Sequence, residues 1–284
     1  MIERAFVTLA EGQVHLRRVV RGGPGVAGGT RPLLLFHASP SSSWGLQGLM
    51  RALVDAGVRG DIVAPDTLGN GDSAAPASEH PDIAYFADSM RRLADALGHE
   101  RVDVYGGHTG ARIACEFAAA FPERTGRVIL DGIMEYDADF RRLVVENYAP
   151  KVEPDVYGRQ LIWAFNFVRD QAHYFPYFMR DPAHRLAGAV PDAATLHRAT
   201  LDVLKALDTY SKPYIAAFEY PAYSRMPLVQ APVLLLRPDA ELPVLNAAIE
   251  TAMRQLPRSQ VARVAPGDVA KAAAIAQFLA QEIP

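Results

Sequence analysis

The sequence predicts an α/β protein: a mostly parallel sheet with helices on both faces, interrupted once by an inserted helical segment. Two observations predict the sheet. Short apolar runs (PLLLFH, DIVAP, RVDVYG, RVILDGI, APVLLLRP) alternate along the chain with segments of helical spacing, the order that builds βαβ units. Those runs are apolar throughout instead of alternating in and out, as strands buried on both faces must be. A third observation predicts the insert. Between Glu135 and Met226 no such run occurs, and helical spacing dominates, as in LHRATLDVLKALDTY.

Taken in order, Arg4–Arg21 alternates enough to be a β-hairpin turning at Glu11 and Gly12. A glycine-rich loop, Gly22–Gly29, separates it from the first buried strand, PLLLFH. LQGLMRALVDAG is a helix, DIVAP a strand, and IAYFADSMRRLADALG a helix with apolar residues three and four apart. RVDVYG is a strand, ARIACEFAAAF a helix and RVILDGI a strand. After the insert come the strand APVLLLRP, a helix over Pro243–Leu256, the strand QVARVA and a last helix from Val269. The expected division is therefore a core domain of 1–134 and 227–284 with a helical lid of 135–226. Of 25 aromatic residues, 16 fall in that insert. The excess points to an apolar pocket beneath it, or to rings that pack the insert onto the core.

Composition removes several function classes. The 284 residues are 50% hydrophobic with a net charge of −3, which suits one large core and gives no footprint for nucleic acid or an anionic membrane. No apolar run approaches the roughly twenty residues of a bilayer span, and the N-terminus, MIERAFVTLAEG, lacks the apolar stretch of a secretory signal. The single cysteine, Cys115, excludes an internal disulfide, reads as core packing, and fits a cytoplasmic location. No Cys/His cluster has metal-ligand spacing and no glycine-rich phosphate loop occurs, so no metal or cofactor is expected. The expected partner is a small molecule, with a homodimer left open.

Three motifs carry the chemistry. HASP, His37–Pro40, follows the first buried strand; PDTLGNGDS, Pro65–Ser73, follows the next; and GGHTG, Gly106–Gly110, lies between a strand and a helix. The last has the form G-x-nucleophile-x-G on a strand–turn–helix, with Gly106 and Gly110 allowing a turn too tight for a Cβ. Together the three, over nearly the whole chain, resemble the α/β-hydrolase superfamily, and specifically a bacterial branch with histidine at the elbow. The resemblance implies an oxyanion hole from the backbone N–H groups of Ser39 and Thr109, which no side-chain change would remove. A loop geometry that needs Ser39 and Pro40 for its own sake is the plainer reading.

The departures limit the chemistry. Position 108, where the superfamily places serine or another nucleophile, is His108. The loop that carries the superfamily's late histidine reads APGDVAK, and no histidine follows His197. Without serine or late base, a Ser-His-Asp acyl-enzyme is not available. An imidazole at this place can serve as general acid–base, activate a water or enolise a carbonyl compound. A dead elbow, or a pocket kept only to bind a small molecule, is the alternative. Burial and the helix N-terminus would disfavour imidazolium unless a carboxylate binds it.

The candidate carboxylates are Glu135, just past the strand after the elbow, and Asp239 or Glu241 after APVLLLRP. Glu135 and Asp239 are taken as the catalytic partners of His108. Asp131 either serves as such an acid or caps the strand end. The substrate-binding candidates are His37, Trp163, His173, Tyr174, Tyr210 and Tyr214; His37 reads equally as a buried structural histidine, and the ring-bearing residues of the insert as its packing. Arg112, one turn into the elbow helix, is expected to make a structural salt bridge.

Overall fold

The computed structural model describes residues 1–21 and 30–282; the glycine-rich loop expected at Gly22–Gly29 lies outside the described residues. The chain begins with an antiparallel hairpin, β1 (Glu3–Leu9) and β2 (Gly12–Val19), turning where Glu11 and Gly12 predict. β3 (Leu33–Phe36), α1 (Gln47–Asp55), β4 (Ile62–Pro65), α2 (Ile83–Ala96), β5 (Val102–Gly107), α3 (Thr109–Ala120) and β6 (Thr125–Asp131) follow. Past the helices α4 (Ala138–Asn147), α5 (Arg159–Gln171), α6 (Ala193–Lys205), α7 (Ser211–Glu219) and the short α8 (Ala222–Arg225), the sheet resumes with β7 (Val233–Pro238). The chain closes with α9 (Pro243–Gln255), β8 (Ser259–Val264) and α10 (Asp268–Ala280).

The eight strands form one sheet in the order β1-β2-β4-β3-β5-β6-β7-β8. β2 joins β4 antiparallel, and every pair from β4 to β8 is parallel. The central strands are buried along their whole length, which is why their sequences show no two-residue alternation. One face packs α2 and α3 around Phe36, Val104, Phe117 and Leu130; the other packs α1 and α10 around Leu35, Met50, Leu53 and Phe278. Each such side chain contributes about 2 kcal/mol by leaving water.

The helix after the elbow, α3, is buried almost all round. Its run of alanines lets it lie close to the sheet on one side and α2 on the other, and Pro122 stops it. Cys115 sits within it, fully buried, with burial pushing its thiol up to about 12, so it is packing and not a nucleophile.

Among the described residues, none between 135 and 226 belongs to a strand of the sheet. The aromatic residues of that segment form a cluster of their own. Tyr148 lies at its centre, with ring centroids 5.1–5.2 Å from Tyr177, Tyr214 and Phe218. No helix among the described residues is long and apolar enough to cross a membrane.

Candidate active site

β5 ends at Gly107, α3 starts at Thr109, and His108 alone makes the turn between them. Its φ of 49° makes it the one non-glycine residue with positive φ among the described residues. That conformation costs on the order of 1–3 kcal/mol. It is held by the His108 N–H, which donates to the Asp131 carbonyl at 2.8 Å. The flanking glycines are required by contact: a Cβ on Gly106 would lie 2.0 Å from the Gly110 carbonyl oxygen, and one on Gly110 would lie 2.1 Å from that of Phe36.

The imidazole is 43% exposed, and its Nε2 stands 3.2 Å from Oε2 of Glu241. Glu241 is largely buried just past β7, and its other oxygen accepts the Leu242 N–H at 2.8 Å. Burial pushes its carboxyl up, but His108 and, less strongly, the Leu242 amide and Lys271 outweigh this and hold it below the usual carboxylate range. An ionised carboxylate only accepts hydrogen bonds. The nitrogen facing it must therefore carry the proton, which in a neutral ring leaves Nδ1 as the free base.

His108 opens onto a cavity of about 280 Å3 also lined by Ser39, Thr109, Arg112, Gln171 and the rings of Tyr136, Tyr148, Phe175, Tyr214 and Phe218. Neither the Ser39 nor the Thr109 N–H is hydrogen-bonded among the described residues, so both remain available at the cavity wall. A carbonyl oxygen held there would also feel the N-terminal partial charge of α3.

Several expected partners are elsewhere. The Glu135 carboxylate accepts the Tyr223 N–H at 2.9 Å and so caps α8 instead of reaching His108. Asp239 pairs with Arg263 at 2.6 Å on the surface, because its backbone N–H is tied to Val264 on the neighbouring strand and turns it towards β8. Two residues further on, the chain has turned back and Glu241 takes the place. Asp131 fixes the elbow through its carbonyl, while its carboxylate receives Tyr105 Oη at 2.8 Å and Lys271 Nζ at 2.5 Å. Lys271, from the segment where the late histidine was sought, therefore braces the strand end beneath the elbow.

Most of the expected ligand contacts lie away from the cavity. His37 is buried and lies outside the cavity lining: its Nε2 accepts the Thr67 N–H at 3.0 Å and its Nδ1 is 2.7 Å from the Ala38 carbonyl. It is a neutral structural histidine, and burial lowers its pKa accordingly. Trp163 stacks on Phe167, and Tyr210 is buried with its hydroxyl on the Pro150 carbonyl. His173 and Tyr174 belong to the turn that pairs with Arg185 and Leu186. Of the six, only Tyr214 lines the cavity. The residues missed were Arg112, Gln171, Tyr136, Tyr148, Phe175 and Phe218. Phe218 had a usable signal, since it lies one turn after Tyr214 on the same face of α7.

Arg112 makes no salt bridge among the described residues. Its guanidinium is buried, yet it donates only to the carbonyls of His108 (3.2 Å) and Met134 (2.8 Å) and lies over the Tyr136 ring. Away from this cavity, His15, Asp66 and Asp72 bring three ligand-type atoms within 4.8 Å of one another. Both His15 nitrogens are already engaged, one by Asp66 and one by Arg4, so this group is a hydrogen-bond network and not a vacant metal cage.

The family model of the alpha/beta hydrolase fold matches residues 31–236, and the chain belongs to that family. Its similarity to curated proteins covers only part of them. An uncharacterized protein of Mycobacterium tuberculosis is 34% identical over 105 residues, 37% of this chain and 30% of that one. A 2-hydroxy-6-oxononadienedioate/2-hydroxy-6-oxononatrienedioate hydrolase of Paraburkholderia phymatum is 31% identical over 130 residues, 45% of this chain and 43% of that one. The matched parts thus span less than half the length of these relatives. Among solved structures, Epoxide Hydrolase A of Mycobacterium thermoresistibile superposes over the full length of both chains with a TM-score of 0.72 at 21% identity.

Proposed function

We propose that this protein hydrolyses a small aromatic or apolar carbonyl compound without a serine nucleophile, using His108 as the general base and Glu241 as its orienting partner. The observation that carries the reading is the pair itself: an imidazole on the elbow, open to the cavity, with a buried carboxylate 3.2 Å away. Nδ1 takes a proton from a water, and the hydroxide attacks the carbonyl carbon. The Ser39 and Thr109 amides take up the charge on the oxygen, and Glu241 stabilises the imidazolium that has formed. As the tetrahedral species collapses, His108 returns the proton to the leaving atom, so no covalent intermediate is needed. The five rings around the cavity suit an aromatic substrate. The likeness to a hydrolase of 2-hydroxy-6-oxo acids supports carbonyl substrates, with ester, lactone or carbon–carbon cleavage all within reach of the same steps.

The test is a mass-spectrometric screen of aromatic esters, lactones and 1,5-dicarbonyl compounds against wild type and His108→Ala. Turnover that falls by about a thousandfold in the variant supports the reading. Turnover that survives the substitution contradicts it, as does stoichiometric labelling of the wild type by a fluorophosphonate.

A further inference from the structure

The side chains around the cavity leave a set of donors without acceptors. Arg112 is 4% exposed and lines the cavity. No carboxylate among the described residues lies within 4.0 Å of it, and the two groups that it bonds are neutral carbonyls. Its Nε has no protein partner. A second wall residue, Gln171, spends its carbonyl oxygen on the Tyr214 hydroxyl and leaves its Nε2 unpartnered. The Ser39 hydroxyl, a third, is also buried without a partner. A buried cation without a counterion is costly.

We propose that Arg112 is an anion subsite, and that the ligand of this cavity carries a carboxylate that pairs with it, alongside the Gln171 amide. A carboxylate is planar and accepts only, which matches a guanidinium edge and an amide N–H. Among the described residues Arg112 is the one cationic side chain of fixed charge in the lining, so a monoanion balances the site where a phosphate dianion would not. The Arg112 guanidinium donates to the His108 carbonyl at 3.2 Å and both residues line the cavity, which places the carboxylate a few bonds from the carbonyl presented to the elbow. The ligand is thus a short oxo acid or acyl acid with an aromatic or apolar remainder. The proposal rests on the functional reading above only in taking this cavity as the ligand site, and binding instead of turnover tests it.

The probes are 4-oxo-4-phenylbutanoate and its primary amide, which differ in charge but scarcely in shape, titrated calorimetrically into the intact chain. Wild type should bind the acid about tenfold to a hundredfold more tightly than the amide. Arg112→Gln should abolish that preference and Arg112→Lys should retain part of it. In wild type alone, the NMR signal of the Arg112 Nε–H should shift with the acid and not with the amide, which keeps the test valid if Arg112→Gln does not fold. Equal affinity for acid and amide overturns the proposal, as does a preference that survives Arg112→Gln or the failure of the acid to bind at millimolar concentration. These outcomes leave the hydrolytic reading standing, since that depends on His108; loss of turnover dependence on His108 would in turn leave the subsite standing.

Discussion

The loop after β4 and the elbow after β5 both lie at the carboxyl edge of the sheet and both hold a buried charge, but they treat it differently. The Asp66 carboxylate receives the His15 imidazole at 2.9 Å, the Ser43 N–H at 2.7 Å and the Asp72 N–H at 2.9 Å. It ties the hairpin, the loop after β3 and its own turn into one network, and every partner is protein. At the elbow, among the described residues, Arg112 has only neutral carbonyls, the Ser39 and Thr109 amides are free, and His108 is half open to the cavity. The first arrangement is complete as it stands; the second, on the reading proposed above, is completed by a ligand. Two motifs that look equally functional in sequence therefore divide into a structural clasp and a candidate site.

Asp66→Ala should have the largest effect on stability. It strands the buried Ser43 N–H, the Asp72 N–H and a buried imidazole, at a cost of about 3–5 kcal/mol in urea unfolding. Burial pushes the Asp66 carboxyl up, but the hydrogen bonds from His15, Ser43 and Asp72 prevail and hold it well below the usual carboxylate range. Its stabilisation should therefore be complete above the unfolded value of about 4 and lost as the pH falls through the lower folded value. A loss under about 1 kcal/mol would break the contrast by showing that the clasp is dispensable.

Asp202 on α6 sharpens the contrast from the side of the helical segment. It accepts the Ser42 hydroxyl at 3.0 Å, and burial lifts its carboxyl to about 6 despite that bond. A raised value favours the neutral form, so its contribution is present at low pH and lost as the pH rises through about 6. Asp202→Asn, which keeps an acceptor for Ser42, should then stabilise the protein by about 2 kcal/mol at pH 8 and by progressively less towards pH 4. A gain that does not depend on pH would assign it to packing and not to the charge.

The smallest effect belongs to Glu135. As a cap for α8 it should be worth about 1 kcal/mol, so Glu135→Ala should lower the urea midpoint slightly and leave turnover unchanged. Loss of activity in a folded Glu135→Ala protein would return it to the site.

The sheet was legible because its evidence is local and repeated. Runs such as VILD and VLLL can be satisfied only by burial on both faces, and the glycines at 106 and 110 declare the elbow. The place of Ser39 and Thr109 on the cavity wall was legible because backbone position follows from motif position. The choice between Asp239 and Glu241 was not, since it turns on a backbone bond to β8 that redirects the chain over two residues. Arg112 was misread for a related reason: a cation in a first helical turn usually finds an acid, and only the assembled fold reveals that none is within reach. Trp163 and Tyr210 failed because composition counts rings in the helical segment without telling which of them face its own interior.

The central claim, that His108 and Glu241 act as one catalytic pair, is tested most directly by a double-mutant cycle on the best substrate from the screen. The kcat/KM of wild type, His108→Ala, Glu241→Gln and the double variant would be compared, with circular dichroism to check each fold. A catalytic pair requires a loss of about a hundredfold for Glu241→Gln. The double variant should be no slower than His108→Ala, because the carboxylate acts through the imidazole. Losses that multiply, or full activity in Glu241→Gln, would contradict it.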